Sequence, residues 1–266
     1  MKGDAMWKSF LLSILLYLSP AIATLANAGT LDDVLARGEM NAGVRYDSPP
    51  FGSVDSSGKV VGFDIDIIQE VGKRLGVKVN LVEVTAKSRI PMLESGKIDV
   101  IAAALTHTRE RDRNLDFTIS YLIDGQKIMV PKGSAIRSFE DLGGKTVASV
   151  QGSYNEATIR KLAPNARVLV YQEYPQAFLA LKRGLADGFT TIVTILESVS
   201  NKDPDFEIIG DFLTSEPIAL GVRENDSKWR DALNFTLQDM ADDGTYRRIF
   251  ERHFSFAYQP LEMWAP

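Results

Sequence analysis

Arginine stands at every second position, Arg109, Arg111 and Arg113, behind Thr106 and Thr108 in the stretch Leu105–Phe117, LTHTRERDRNLDF. Arginine offers a planar fork of donors that meets a carboxylate through two parallel hydrogen bonds, each charge-assisted bond contributing about 1.5–3 kcal/mol. An apolar run ends at Leu105, and Thr108 is of the type that caps a helix start, which leaves Arg111 in the first turn. On residue types alone such an arginine either grips an anion or is solvated, and both readings stay open for Arg111; Arg109 and Arg113 read as solvated. A second stretch, Gly152-Ser153-Tyr154, lies between the apolar run Thr146–Val150 and a helix starting near Asn155. Backbone N–H groups at a helix start are donors to a carboxylate and glycine permits close approach, although a plain turn has the same composition. The two histidines, His107 and His253, are too few and too far apart for a zinc set, and there is no glycine-rich phosphate loop. Neither a metal nor a cofactor is expected.

These residues belong to a chain of 266 residues, 45% hydrophobic and 24% charged, which is ordinary for one large domain or two modest ones. The formal charge is −5 and the basic residues are scattered, so nucleic acid is not an expected partner. Cysteine is absent, which excludes disulfides, thiol nucleophiles and a lipid anchor through Cys. Lys2 and Lys8 precede the apolar run Phe10–Leu18, and Ala26-Asn27-Ala28 has the small-x-small form of a signal-peptidase site. The run is shorter than the roughly 18 apolar residues a membrane span needs. Residues 1–28 therefore read as a signal peptide, and the remainder as an exported, soluble, acidic protein whose anion binding must rest on a few local arginines.

From residue 30 onward short apolar runs alternate with stretches of helical period. Glu39–Val44, Lys78–Thr85 and Ile98–Leu105 read as strands, and Phe63–Leu75, Ile90–Ser95, Asp226–Asp242 and Tyr246–Phe254 as helices, an α/β pattern. The series repeats. MLESGKIDVIAA (Met92 onward) and ALKRGLADGFTT (Ala180 onward) share leucine, glycine and aspartate, and Leu93 and Leu181, Gly96 and Gly184, Asp99 and Asp187 are each 88 positions apart. Both read as a helix end, a glycine cap and a strand opened by an aspartate with a structural role, so two lobes of similar plan are expected. Thr118–Lys127 and Ser215–Arg223 lack a crossover helix and suit a pair of hinge strands. The expected division is 29–121 plus 222–266 for the first lobe and 122–221 for the second, with the final helix pair packing back on the first.

Phe63-Asp-Ile-Asp-Ile67 after Gly62, Ser88-Arg-Ile-Pro91, Ser95-Gly-Lys-Ile-Asp99, Thr106-His-Thr-Arg-Glu-Arg111, Asp116-Phe117, Tyr121, Gly152-Ser153 and Gly184-x-x-Asp187, in this order and spacing, resemble the polar amino-acid-binding proteins of bacterial ABC importers, solute-binding family 3. Gly43–Phe51 and Thr85–Pro91 are most similar to the subgroup for glutamate, aspartate or glutamine. The resemblance implies a two-lobed, type II periplasmic-binding-protein fold, each lobe a mixed, mostly parallel sheet flanked by helices. It also implies a monomer in the periplasm that traps a small ligand between closing lobes and delivers it to a membrane permease, without catalysis.

Carried over residue by residue, the resemblance makes Arg111 the carboxylate-binding arginine and Thr106 a ligand hydroxyl. Arg89 and Arg45 become candidates for a side-chain carboxylate, with an Arg45–Asp47 pair as the alternative. It adds Gly152 and Ser153 as donors from the second lobe, Thr191 on the strand after Asp187, and Phe51, Tyr46 or Tyr121 as a cover for the ligand's aliphatic part. Phe63, Phe178, Phe189 and Trp229 read as core. One departure stands out: the resemblance implies an acid for the ligand's ammonium after Thr191, where this chain has Ile192-Val193. Either Asp47 or Glu197 replaces it, or the ligand carries no α-ammonium. Two other readings use the same fold: a cyclohexadienyl dehydratase-like enzyme with Glu197 or Glu110 beside His107, and a sensor domain of a chemoreceptor or kinase.

Overall fold

Gly96 and Gly184 both adopt the left-handed conformation, φ 72° and 69°, and both are followed by an aspartate that ties a strand to its neighbour. Asp99 accepts the Asn41 N–H at 2.8 Å and Asp187 accepts the Thr146 N–H at 2.7 Å, while their own N–H groups donate to the carbonyls of the same two residues. The repeat in the sequence is therefore a repeat of strand-edge bonding, and both aspartates are structural.

The computed structural model describes residues 29–201 and 203–261; the signal-peptide reading of residues 1–28 lies outside them. Helix α1 (Thr30–Arg37) leads into β1 (Glu39–Val44) and a three-stranded ribbon of β2 (Asp47–Ser48), β3 (Gly52–Val54) and β4 (Val60–Val61). Then come α2 (Phe63–Leu75), β5 (Lys78–Glu83), α3 (Arg89–Glu94), β6 (Val100–Ala102), a one-turn helix at Arg111–Arg113 and β7 (Leu115–Phe117). Strand β8 (Leu122–Asp124) leads out to β9 (Gln126–Pro131), β10 (Thr146–Val150), α4 (Tyr154–Leu162), β11 (Arg167–Tyr171), α5 (Tyr174–Lys182), β12 (Gly188–Ile192), α6 (Val193–Ser200) and β13 (Phe206–Ile209). Strand β14 (Glu216–Ile218) returns, and β15 (Gly221–Arg223), α7 (Ser227–Asp242) and α8 (Thr245–His253) follow.

Two five-stranded sheets result, β5-β1-β6-β15-β7 and β11-β10-β12-β9-β13, each with four strands running one way and one, β15 or β9, against them. Between them β8 and β14 pair antiparallel, Glu216 opposite Asp124 and Ile218 opposite Leu122. This is a two-lobed α/β fold on a two-strand hinge. Gly221, assigned from sequence to the second lobe, pairs with Phe117 and Ile101 in the first sheet.

Strand and helix bounds follow the apolar periodicity closely for β1, β10 and α2, but the strand expected over Ile98–Leu105 stops at Ala102. Ala104 is left-handed at φ 46°, a conformation an alanine adopts only under constraint. The constraint is Asp64 in the first turn of α2, whose carboxylate accepts the Ala104 N–H at 2.7 Å and the Tyr121 hydroxyl at 2.8 Å. The ring of Phe63 beside it packs against Tyr121 and Phe254, 5.7 and 4.8 Å between centroids, which fixes the helix start and brings α8 back onto the first lobe. Phe189 and Trp229 are likewise buried in the core, and Phe178 packs half-buried on Phe206.

Burial raises the Asp64 carboxyl to about 6, against the bonds from Ala104 and Tyr121. The folded chain thus holds this proton more tightly than the unfolded chain. The group costs stability as pH rises through roughly 4 to 6, and the cost is absent at lower pH. Denaturant titrations should show the wild type losing about 3 kcal/mol relative to Asp64→Asn between about pH 4 and pH 7. Parallel stability profiles would refute that assignment.

Candidate functional site

The interruption at Ala104 turns a row of carbonyls and side chains into the gap between the sheets. Arg89 opens α3 with 3% of its surface exposed, and its Nη1 donates to the Ala103 carbonyl and, at 3.4 Å, to that of Ala104. The short helix starts at Arg111 after Glu110, later than the start expected behind Thr108; Thr108 Oγ1 still accepts the Arg111 N–H at 3.2 Å, and Arg111 Nη1 reaches back to the Thr106 carbonyl at 2.9 Å. Arg109 and Arg113 are exposed. Arg45, just past β1 and 1% exposed, forms a two-pronged pair with Asp47, its Nε donating at 2.8 Å. The predicted Arg45–Asp47 pair therefore exists, but it is buried.

The second lobe closes on this face. Arg111 Nη2 lies 3.4 Å from the Gly152 carbonyl, the Tyr174 N–H donates to Asp47 at 3.1 Å, and the Tyr174 ring lies under the Arg45 guanidinium at 4.6 Å. Glu216 on β14 is fully buried and bridges the lobes: it accepts from Thr106 Oγ1 at 2.9 Å, Asn155 Nδ2 at 2.6 Å and Thr214 Oγ1 at 2.8 Å. Thr191, also buried, lies 3.3 Å from Asn155 Oδ1. A cavity of about 500 Å³ opens beside the contact, lined among others by Lys87, Thr108, Arg111, Gly152 and Tyr154.

Charge in this cleft is unevenly compensated. Arg45 has Asp47, but neither Arg89 nor Arg111 has a carboxylate partner among the described residues. Burial, then Arg111 and Arg45, push the Arg89 guanidinium down to about 9, and burial lowers Arg111 against the pull of Glu216 and Tyr174. Burial alone would lower Arg45 too, but Tyr174 and Asp47 lift it above its ordinary value. Arg45 Nη1 and Arg89 Nε are buried without a hydrogen-bond partner. Orphaned buried donors are costly, about 1–3 kcal/mol or more when charged, so the cleft is poised to receive acceptor oxygens.

The structure brings Arg45, Arg89, Thr106, Arg111, Gly152 and Thr191 to the facing surfaces, and corrects several expectations. Phe51 turns inward, packing on Phe63 and Phe254 at 6.4 and 6.0 Å; it is core, not a ligand cover. Tyr121 likewise serves Asp64 and the core. The Ser153 hydroxyl caps α4 by accepting the Glu156 N–H at 3.1 Å, while Glu156 itself takes the Gly152 N–H at 2.9 Å, so a ligand carboxylate would compete there with a built-in one. Ile192 is buried, and neither proposed substitute acid stands in for one: Asp47 is held by Arg45 and Tyr174, and Glu197 is exposed, lining a cavity with Phe256. His107 stacks on Phe117 at 4.1 Å and bonds Asp112 at 2.8 Å, which removes it from any pairing with Glu197.

Tyr174, Asn155 and Glu216 were not foreseen. Tyr174 was within reach of the 88-residue repeat, which maps it onto Ala86 beside α3, and Glu216 was the one acid in the mostly apolar hinge segment Ser215–Arg223.

Two similar lobes on a hinge, with buried donors on both sides of the gap, define a ligand-clasping binding protein. The chain belongs to the bacterial extracellular solute-binding proteins, family 3, whose pattern matches residues 40–256. It is 40% identical over 215 residues to the ABC transporter glutamine-binding protein GlnH of Bacillus subtilis, 79% of each chain. To the glutamate/aspartate import solute-binding protein of Salmonella typhimurium it is 28% identical over 252 residues, 90% of this chain and 83% of that one. Among solved structures, a mutant of ArgBP from T. maritima superposes with a TM-score of 0.82 at 35% identity, covering 85% of this chain and 100% of the other.

Proposed function

We propose that this chain is the periplasmic receptor of an ABC importer, exported by a signal peptide at residues 1–28, and that it takes a small acidic amino acid of the glutamate or aspartate kind to its permease. Relatives that bear the names of glutamine- and glutamate/aspartate-binding importer proteins support the class of ligand. The observation that carries the acidic reading is two guanidiniums without carboxylate partners among the described residues, the buried Arg89 with an orphaned Nε and the half-buried Arg111. Arg111 would hold the α-carboxylate and Arg89 the side-chain carboxylate, with Arg45 clamped behind by Asp47 and Tyr174. A cationic side chain would meet Arg89 and Arg45 unfavourably. A neutral amide would leave Arg89 without its counter-charge, although the glutamine-binding relatives make that the second reading.

Calorimetric titration decides between them. L-glutamate should bind more tightly than L-glutamine, and Arg89→Met should erase the preference, about a ten- to hundredfold change for one charge-assisted hydrogen-bonding partner. Tighter binding of glutamine by the wild type would overturn the acidic reading.

A further inference from the structure

An amino acid brings an ammonium group as well as carboxylates, and neither Ile192 nor the paired Asp47 can receive it. Glu216 is the carboxylate that bonds Thr106 of the first lobe and Asn155 of the second, and its geometry gives it a defined task. An ionised carboxylate only accepts, whereas a hydroxyl has one proton to give and two lone pairs to receive with. The Thr106 hydroxyl spends its proton on Glu216 Oε2 at 2.9 Å, so what it offers elsewhere is lone pairs. Glu216 is held in turn by Asn155 Nδ2 and Thr214 Oγ1 on Oε1, so three donors converge on it. Burial raises its carboxyl, and those three hydrogen bonds act against the rise.

Resting on the reading that the ligand is an α-amino acid, we propose that Glu216 is the positioning residue for the ligand's ammonium. It fixes Thr106 Oγ1 as an acceptor facing the cleft and supplies the negative charge behind it. Because Thr106 belongs to the first lobe and Asn155 to the second, the full arrangement exists only where the two lobes meet. No acid is then needed at Ile192. The charges also close: Arg111 and Arg89 answer two carboxylates, and Glu216, through Thr106, answers one ammonium.

The test compares L-glutamate with 2-oxoglutarate, which keeps both carboxylates and lacks the amine, on the wild type, Glu216→Gln and Thr106→Val, each checked for folding by its melt without ligand. The wild type should prefer glutamate. Glu216→Gln should lower glutamate affinity about tenfold or more while leaving 2-oxoglutarate within roughly twofold, and Thr106→Val should do the same, with no further loss in the double variant. A latch that merely holds the lobes together would weaken both ligands alike, and that result, or unchanged glutamate binding in either variant, overturns the proposal. A wild type that prefers 2-oxoglutarate overturns it while leaving the acidic reading intact. A wild type that binds L-glutamine but neither acid removes the acidic reading, and the same comparison of variants with L-glutamine then shows whether Glu216 serves an amine: a loss of tenfold or more supports the assignment and an unchanged affinity overturns it.

Discussion

Arg111→Ala is expected to abolish ligand-induced thermal stabilisation while leaving a folded protein. Two charge-assisted bonds to one carboxylate contribute about 3–6 kcal/mol, so their removal weakens binding by roughly two to four orders of magnitude. A ligand at a hundred times its dissociation constant stabilises the native state by about 2.7 kcal/mol, some 5–10 °C for a chain of this size, and a thousandfold weaker ligand at the same concentration gives almost nothing. The fold survives because the Arg111 side chain bonds only the carbonyls of Thr106 and Gly152 and leaves no buried carboxylate orphaned when it goes. Without ligand the variant should melt close to the wild type, since burial disfavours this guanidinium and the pull of Glu216 and Tyr174 only partly offsets it. Differential scanning fluorimetry with and without L-glutamate reads both halves of the expectation. An undiminished ligand shift would take Arg111 out of the site.

What could be read beforehand and what could not divide along the range of the forces involved. The bounds of β1 and α2 and the glycine caps at Gly96 and Gly184 arise from local propensity and periodicity, and the sequence carries them directly. The truncated β6 does not: Ala104 is turned left-handed by a carboxylate 40 positions away, and nothing in the string VIAAALTH marks it. The turn at Arg111 was legible from Thr108, which accepts its N–H, although the helix itself starts at Arg111. Phe51, offered as a cover for the ligand, is core instead, because the β2–β4 ribbon turns the chain after Arg45 and packs the ring on Phe63 at the start of α2. Tyr174 and Glu216 enter from a second lobe and from a returning hinge strand, over 100 residues from the groups they serve, Asp47 and Thr106. A periodic pattern identifies which face of an element is buried; which other face it meets across a hinge depends on closure, and only the structure contains that.

Closure itself is most exposed to test at Gly152. This residue has φ 77°, and a Cβ there would lie 2.8 Å from Lys87 Cα, 3.0 Å from Lys87 N and 3.2 Å from the Ala86 carbonyl carbon. Those atoms are backbone of the first lobe, so no rotamer change can relieve the contact. Two consequences of Gly152→Ala separate cleanly. The left-handed conformation costs about 1–2 kcal/mol whether the lobes are open or shut. The clash operates only when they are shut, and overpacking of this kind costs about 1–3 kcal/mol. Only the second alters ligand affinity, since the apparent dissociation constant rises as the closed, binding-competent fraction falls. Gly152→Ala is therefore expected to weaken L-glutamate binding about ten- to hundredfold, and small-angle scattering should show less ligand-induced compaction. Gly184 is the matched control: it is left-handed at φ 69° but a Cβ there meets nothing within 4 Å, so Gly184→Ala should lower the melting temperature and leave affinity alone. If Gly152→Ala binds as the wild type does, the close approach of Gly152 to Lys87 is not part of the ligand-bound state, and the clasp of Arg111 on the Gly152 carbonyl loses its meaning with it.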